Sequence, residues 1–251
     1  MTIHHPARTL AALLCASATL AACASNPYVP TLYDATTADV SSIAIADDAL
    51  PDSIGANELA SAMGTGQAAG GLIGALVVAS MEGIETSNRM KALAELLEPH
   101  NFDPEAEFEK ALATKLVDAG YVSLDVVEVE RKGRQPLKNL PATDADAVLD
   151  VTATSFGMQK AVTGEEWRPA AGMTVRLLRS GTEDVLMENV ISFNNGVVTE
   201  VNREGIIEIA PEADSVGYLK IKEMDAEIVI AEMRTMIDVL SDTVVSLLSD
   251  A

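Results

Sequence analysis

One stretch near the N-terminus carries residues whose types and spacing could support covalent processing. Arg8 gives a positive start, residues 10–20 form an apolar run, and the small residues Ala21 and Ala22 stand immediately before Cys23. This three-part layout is that of a cleaved secretory signal, whose peptidase requires narrow side chains at the cut. The apolar run is too short to span a bilayer, which takes about 20 residues. We therefore expect export and cleavage, either before Cys23 or as an ordinary signal that happens to contain a cysteine.

The run Leu20-Ala21-Ala22-Cys23 resembles the lipobox of bacterial lipoproteins. The resemblance implies that Leu20, Ala21 and Ala22 are read by the signal peptidase and that Cys23 becomes the lipid-bearing N-terminus. In that family, a residue other than aspartate after the cysteine favours transport to the outer membrane, and here it is Ala24. We therefore expect a chain anchored in the outer membrane, facing the periplasm, with no cofactor besides the covalent lipid.

Charge and cysteine content limit the partners of the mature chain. Removal of residues 1–22 takes Arg8 and no acid from a chain of net charge −21, which leaves −22. Such a charge opposes binding to nucleic acid and electrostatic attachment to anionic lipid. Cys15 leaves with the signal and Cys23 is acylated, so stability must come from a core rather than from disulfides. The membrane is therefore expected to be reached through the lipid.

Residues suited to catalysis or metal binding do not cluster in the sequence. His100 is the single histidine after residue 22, which argues against histidine-activated nucleophiles and histidine-rich metal sites. There is no nucleophile elbow and no Walker-type phosphate loop. Carboxylate pairs such as Asp144 with Asp146, or Glu165 with Glu166, are expected by chance among 38 acids. The sequence therefore predicts a protein that is not an enzyme, with no catalytic residue and no metal.

A glycine-rich segment is the second unusual feature of the chain. Residues 59–81 carry no formal charge, and within them Gly66, Gly70 and Gly74 recur every four positions. On a helix these glycines share one face, which would admit a second helix at close range. Each glycine costs a helix about 1 kcal/mol relative to alanine. The segment is interpreted first as a buried packing helix; a loose loop, or a segment for oligomerisation or membrane insertion, are the alternatives.

The mature chain divides into an acylated tether at residues 23–39 and one domain at residues 40–251, with the glycine-rich insertion at about 59–83. Pro and Thr without helical period indicate the tether. The predicted fold class is α/β (α+β), with a mixed or antiparallel sheet of about 4–6 strands packed by amphipathic helices. Apolar periodicity, caps and turn residues predict strands at 40–46, 121–130, 147–156, 173–178 and 185–193, and helices at 84–98, 104–119 and 225–248.

Four segments that connect the predicted helices and strands are interpreted as turns, loops or irregular structure. Asp47-Asp48 is interpreted as a solvated turn rather than a cation site, and Arg131-Lys132-Gly133-Arg134 as a solvated basic turn. Trp167 lies in a predicted loop, where it either covers the core or offers a contact to a partner. Residues 194–222 are interpreted as irregular.

The order of elements resembles a recurring pattern of envelope lipoproteins. Helix, glycine and strand follow one another from Phe108 to Val122, an acid precedes the strand at Asp146–Val151, and a hairpin joins residues 173–178 to 185–193. Over residues 40–195 and the last helix, these patterns resemble curli-secretion-channel-like and penicillin-binding-protein-activator-like periplasmic lipoproteins and the N-terminal domain of the Tol translocation protein. The resemblance implies an accessory domain that docks on partners or assembles into rings.

The expected function is that of an outer-membrane-anchored lipoprotein, acting as a non-enzymatic accessory or binding component of an envelope assembly or transport system. Its expected partners are the membrane, through the lipid, and an unidentified envelope protein, with a homo-oligomer also open. The alternative is a self-assembling or membrane-inserting component, of the pore or secretion type, that uses Gly66, Gly70 and Gly74.

Overall fold

A computed structural model describes residues 28–58, 83–131, 133–160, 166–182, 184–194, 205–210 and 220–248. Cys23, the peptidase residues Leu20, Ala21 and Ala22, and the glycines Gly66, Gly70 and Gly74 lie outside these ranges. The predictions made for those residues are therefore not addressed by the fold.

Seven strands of the described residues form one mixed sheet. They are β1 (Ser42–Ala46), β2 (Gly55–Glu58), β3 (Val122–Val127), β4 (Ala147–Lys160), β5 (Trp167–Arg179), β6 (Val185–Phe193) and β7 (Ile206–Ile209). The order across the sheet is β3-β1-β4-β5-β6-β7, and β2 pairs with β4. The strands β4, β5 and β6 are antiparallel, whereas the β1–β3, β1–β4, β2–β4 and β6–β7 pairs are parallel. The predicted α/β class is confirmed.

The central strands are longer than the sequence pattern predicts. β4 continues from residue 156 to Lys160, and β5 begins at Trp167, inside the predicted loop. Gly157 makes part of this extension possible, because it has φ +146° and a Cβ there would lie 2.2 Å from the carbonyl oxygen of Gly55. A glycine therefore allows β2 to approach β4 at a position where a side chain would block it.

Two short strands were not predicted. β2 pairs with the far end of β4, where Gly55 lies opposite Gly157, and β7 pairs with the end of β6, where Val190 lies opposite Ile206. The irregular structure expected for residues 194–222 is thus wrong for residues 206–209. Each of these strands has four residues, which is too short for alternation to stand out in the sequence.

Helices cover one face of the sheet. The described ones are α1 (Ala35–Ala38), α2 (Gly83–Leu97), α3 (Pro104–Asp118) and α4 (Ala226–Ser246). Asp103 caps α3 by accepting a hydrogen bond from the backbone N–H of Ala106 at 3.1 Å, and Pro104 occupies the first turn, where its missing N–H costs no hydrogen bond. The apolar stripes of α3 and α4 are buried as their spacing predicts: Phe108, Leu112, Leu116, Ile230, Met233, Ile237, Leu240, Val244 and Leu248.

On the opposite face of the sheet, a second and smaller apolar cluster is buried. Along β4, Leu149 and Val151 belong to the main core with the helices, whereas Val148 belongs to a small apolar cluster with Ala46 and Leu137. This alternation is the normal two-sided display of a strand. The described residues of the segment that follows β3, within 128–145, therefore cover part of the second face.

Candidate functional site

The chain enters the domain through an N-terminal arm, residues 28–38, that is docked on the outer edge of β6. Thr31 and Glu188 exchange two backbone hydrogen bonds of 2.9 Å each. The Tyr28 hydroxyl donates to the Glu188 carbonyl oxygen at 3.1 Å. Pro30 lies against Gly205, where an added Cβ would come within 2.6 Å of the proline ring. The arm and β7 therefore share the outer edge of β6.

The second half of the arm is part of the core. Tyr33 is 3% exposed and belongs to the main apolar cluster. Arg179 donates to the Ala38 carbonyl oxygen at 2.5 Å and holds α1 against the end of β5. Burial raises the pKa values of both Tyr28 and Tyr33 to about 12. The tether predicted for residues 23–39 is thus wrong for residues 28–38, because a tyrosine and an alanine of this stretch are buried by the sheet and its helices.

Arg131 forms a buried ion pair on the second face of the sheet. Its side chain is 1% exposed and lies 2.6 Å from Oδ1 of Asp150, which is fully buried. The guanidinium also donates to Thr152 Oγ1 at 2.8 Å and to the carbonyl oxygens of Asp47 and Val151. The other Asp150 oxygen accepts from the backbone N–H of Leu137 at 2.9 Å. This network fixes the covering segment 128–145 to β4.

Arg134 extends the same network to the bend that separates β1 from β2. It donates to Oδ1 of Asp48 at 2.7 Å, and to the carbonyl oxygens of Asp48 and Ala49. Asp47 accepts from the backbone N–H of Val129 at 2.8 Å. The solvated basic turn and the solvated acidic turn predicted from the sequence are therefore both wrong, because these two segments neutralise and hydrogen-bond one another.

Carboxylates at the start of α3 form an acidic cluster beneath the same bend. Glu105 accepts from the backbone N–H groups of Ala49 and Leu50, at 2.8 and 2.6 Å. Burial raises the pKa of Glu105, against the lowering effect of these bonds. Burial, together with the negative charges of Glu105 and Asp47, raises the pKa of Glu109 to about 7. Such a shift is found at functional and at purely structural sites, and no described residue here forms a nucleophile–base pair with Glu109.

Of the carboxylate pairs noted in the sequence, Asp146 has a structural role. Its Oδ2 accepts four hydrogen bonds of 2.8 to 3.0 Å, from the backbone and hydroxyl groups of Ser41 and Ser42. These bonds hold the pKa of Asp146 well below its usual range. The carboxylate thereby joins the start of β1 to the start of β4.

A groove of about 360 Å³ combines an apolar floor with positive charge. It is lined by Ala92 from α2, by Trp167 and by Ile221, and its cationic residues are Arg89, Lys160, Lys220 and Lys222, with Asn88 beside them. Lys160 and Trp167 face each other at the ends of β4 and β5. The Arg89 guanidinium lies 5.8 Å from the centre of the Trp167 ring, a distance suited to cation–π attraction.

The residues of the groove differ in how far they are buried. Trp167 is 5% exposed and packs in the core, so the covering role considered for it is the one that the structure has. Ile221 is 6% exposed and anchors the 3₁₀ helix Ile221–Glu223, which leaves its neighbours Lys220 and Lys222 exposed on either side. Lys220 forms a surface ion pair of 2.7 Å with Glu223. The groove thus gathers cations from three distant parts of the chain.

Sequence reasoning missed this groove. Its cations come from positions 89, 160, 220 and 222, and no local spacing relates the first two to the others. A short signal does exist in Lys220-Ile221-Lys222, where an apolar residue stands between two cations in a chain with 38 acids. That signal predicts a turn in which the isoleucine is buried and the two lysines are exposed. Only the tertiary fold brings these lysines close to Trp167.

Two further features do not occur among the described residues. No group of three or more His, Cys, Asp or Glu side chains among them is arranged to hold a metal ion. Of the helices in the described ranges, none combines the length and the apolar character needed to cross a membrane.

Comparisons with known proteins add little to this geometry. No protein-family model and no curated protein matches the chain. A solved structure that is similar is the crystal structure of protein XCC0632 from Xanthomonas campestris, family-model DUF330, with a TM-score of 0.40 and 10% sequence identity over 89% of this chain and 93% of that chain. At this TM-score the similarity carries no argument about fold or function.

Proposed function

We propose that this protein is a lipoprotein, anchored in the outer membrane through Cys23, that acts as a non-enzymatic binding component of an envelope assembly or transport system. The anchor is supported by the resemblance of Leu20-Ala21-Ala22-Cys23 to a lipobox. The binding role is supported by one observation above the others, the cationic groove beside Trp167.

The charge of the groove supports an acidic partner. The whole chain has a net charge of −21, so that an acidic partner is repelled by most of its surface. Four of its 17 Lys and Arg residues nevertheless line this one groove. An acidic segment of an envelope protein would match the cationic rim of this groove, where Lys220 and Lys222 are exposed.

Site-specific crosslinking in cells tests the binding role. A photoreactive phenylalanine analogue in place of Asn88, which lines the groove, should form an adduct with an envelope protein. The same probe in place of Lys91, whose side chain is 75% exposed on α2 and does not line the groove, should not form that adduct. The double substitution Lys220→Glu with Lys222→Glu should abolish the adduct formed at position 88. An adduct that persists in this charge-reversed variant would contradict the proposed site.

The anchor is tested by Cys23→Ser. The variant should remain unprocessed or be released into the soluble envelope fraction, because the thiol that carries the lipid is gone. Mass spectrometry of the wild-type protein should show acyl chains on Cys23. A variant that is cleaved and still remains firmly in the outer membrane would show that another segment is the anchor, and residues 66–74 would then be the first to examine.

A self-assembling or membrane-inserting component remains the second proposal. It is supported by the four-residue spacing of Gly66, Gly70 and Gly74, which lie outside the described residues. Self-assembly requires contacts between copies of the chain, whereas the groove requires none, so a self-assembling protein and a binding component differ in oligomeric state.

A further inference from the structure

The N-terminal arm holds two large apolar side chains in solvent. Val29 is 76% exposed and Leu32 is 69% exposed, the highest values for large apolar residues among those that the structure describes. Leu32 stands next to Tyr33, which is 3% exposed. Because Tyr33 is held in the core and Thr31 is paired with β6, the arm cannot turn Leu32 inward without losing these contacts.

The arm begins a very short distance along the chain from the proposed lipid. Six residue steps separate Cys23 from Val29. Since each step spans at most about 3.6 Å, Val29 lies within roughly 22 Å of Cys23 in any conformation. The arm is hydrogen-bonded to β6 through Thr31, so the chain also keeps that edge of the sheet near Cys23.

The same stretch differs in composition from the rest of the chain. Residues 23–33 contain no charged side chain, although the chain has 38 acids and 17 Lys and Arg residues. Tyr28 lies among them with its hydroxyl bonded to Glu188, and tyrosine is a residue type enriched at membrane interfaces. An uncharged stretch with exposed Val and Leu side chains can enter the headgroup region without desolvating a charge.

The geometry points to a membrane-contact surface formed by Val29 and Leu32, which lies against the bilayer and turns the β6 edge of the sheet towards it. This inference rests on the proposed lipid at Cys23. The occupant is a surface of zwitterionic lipid, because Asp34, an exposed carboxylate of the arm that follows Tyr33, would be repelled by anionic headgroups. The domain is thus attached at two nearby points, the lipid on Cys23 and the side chains of Val29 and Leu32, rather than through a long flexible linker.

A fluorescent probe on the lipidated protein tests this orientation. The introduced thiol of Leu32→Cys can be labelled alone, since the mature chain has no cysteine other than the acylated Cys23. An environment-sensitive nitrobenzoxadiazole label is attached there, and the protein is bound to phosphatidylcholine vesicles that contain nitroxide-bearing lipids. The matched control is Val122→Cys, at a residue 57% exposed on β3, four strand spacings or about 19 Å from β6.

The label at position 32 should brighten severalfold on vesicle binding and be quenched by the nitroxide lipids, whereas the label at position 122 should change little. A label on Val29→Cys should show the same brightening and quenching as the label on Leu32→Cys. Agreement between the two positions excludes an effect of a single substitution on the fluorescence. If the acylated protein binds the vesicles but labels at 29 and 32 are quenched no more than the label at 122, the membrane-contact surface is wrong and the anchor stands. If mass spectrometry finds no lipid and the protein stays in solution, both proposals fall.

Discussion

Arg131 and Asp150 form an ion pair that stabilises the fold only while both partners are present. Removing two charges from water is costly, and the pair offsets this cost through close contact and additional hydrogen bonds. Here Asp150 is fully buried and its second oxygen is bonded to Leu137. Arg176 is a more distant partner, with its guanidinium 3.9 Å from Asp150. The loss of Arg131 alone therefore leaves a buried carboxylate with incomplete compensation.

Arg131→Met is expected to lower the free energy of unfolding by about 3 kcal/mol. The double variant Arg131→Met with Asp150→Leu should recover most of this loss, because no buried charge remains. Urea unfolding followed by circular dichroism measures both. Arg168→Met, which removes a surface pair with Glu166 at 3.0 Å, serves as the control and should cost less than about 1 kcal/mol. An Arg131→Met midpoint equal to that of the wild type would contradict the role of the network.

Glu109 makes the stability of the domain depend on pH. Its pKa in the folded protein is about 7, raised from 4.5 by burial and by Glu105 and Asp47. The folded state therefore holds a proton that the unfolded state releases, and this contribution favours folding below pH 4.5 and fades as the pH rises through about 7. The charged form of Glu109 is the unfavourable one.

Glu109→Gln should accordingly raise the melting temperature at pH 8 by about 2–4 °C, for a gain of about 1 kcal/mol after allowance for solvent screening. At about pH 3 the variant and the wild type should melt together, because Glu109 is then neutral in both the folded and the unfolded state. Thermal melts at the two pH values test this, with Glu95→Gln at an exposed position of α2 as the matched control. A gain of equal size at both pH values would contradict the assignment.

At the scale of elements, the N-terminal arm is the feature in which the structure differs most from the predicted tether. A free tether would leave the sheet unaffected by substitutions within it, whereas a docked arm is part of the fold. The two-way hydrogen bonds of Thr31, the burial of Tyr33 and the Arg179 bond to Ala38 make the arm an integral element.

Adjacent substitutions in the arm should therefore have very different effects on stability. Tyr33→Ala should lower the free energy of unfolding by about 3 kcal/mol, because it leaves a cavity in the core. Leu32→Ala, next to it, should change this free energy by less than about 0.5 kcal/mol, since the side chain is already in water. Urea unfolding of the two variants provides the measurement. Similar effects for both would mean that the arm is not held as the structure shows.

At the scale of the whole molecule, the binding and self-assembly proposals differ in oligomeric state. For a binding component, the acyl-free chain beginning at Ala24 should elute as a monomer in size-exclusion chromatography without detergent. Gly70→Leu should then lower the melting temperature and leave the elution volume unchanged. A wild-type oligomer that Gly70→Leu disrupts would instead favour the glycine-dependent assembly.

Sequence patterns predicted the elements whose residues repeat over several turns or strand positions. α3 and α4 were found at nearly their observed bounds, because their apolar positions recur at helical spacing and Asp103, Pro104 and Asp225 mark their starts. The β5–β6 hairpin was found from two apolar runs around a turn. Strands β2 and β7 were not, because four residues are too few to show a period.

What the sequence by itself determined is the α/β class and the main helices, since each depends on neighbours in the chain; the lipid on Cys23 stays a prediction. Only the tertiary structure decided the rest. Arg131, Arg134 and Asp48 look solvated in isolation, yet the fold brings them together on one face of the sheet. The cations of the groove meet at Trp167 from positions up to 133 residues apart, as from 89 to 222, and the arm loses its freedom through a partner at residue 188. These contacts depend on strand order and register, which local spacing does not encode.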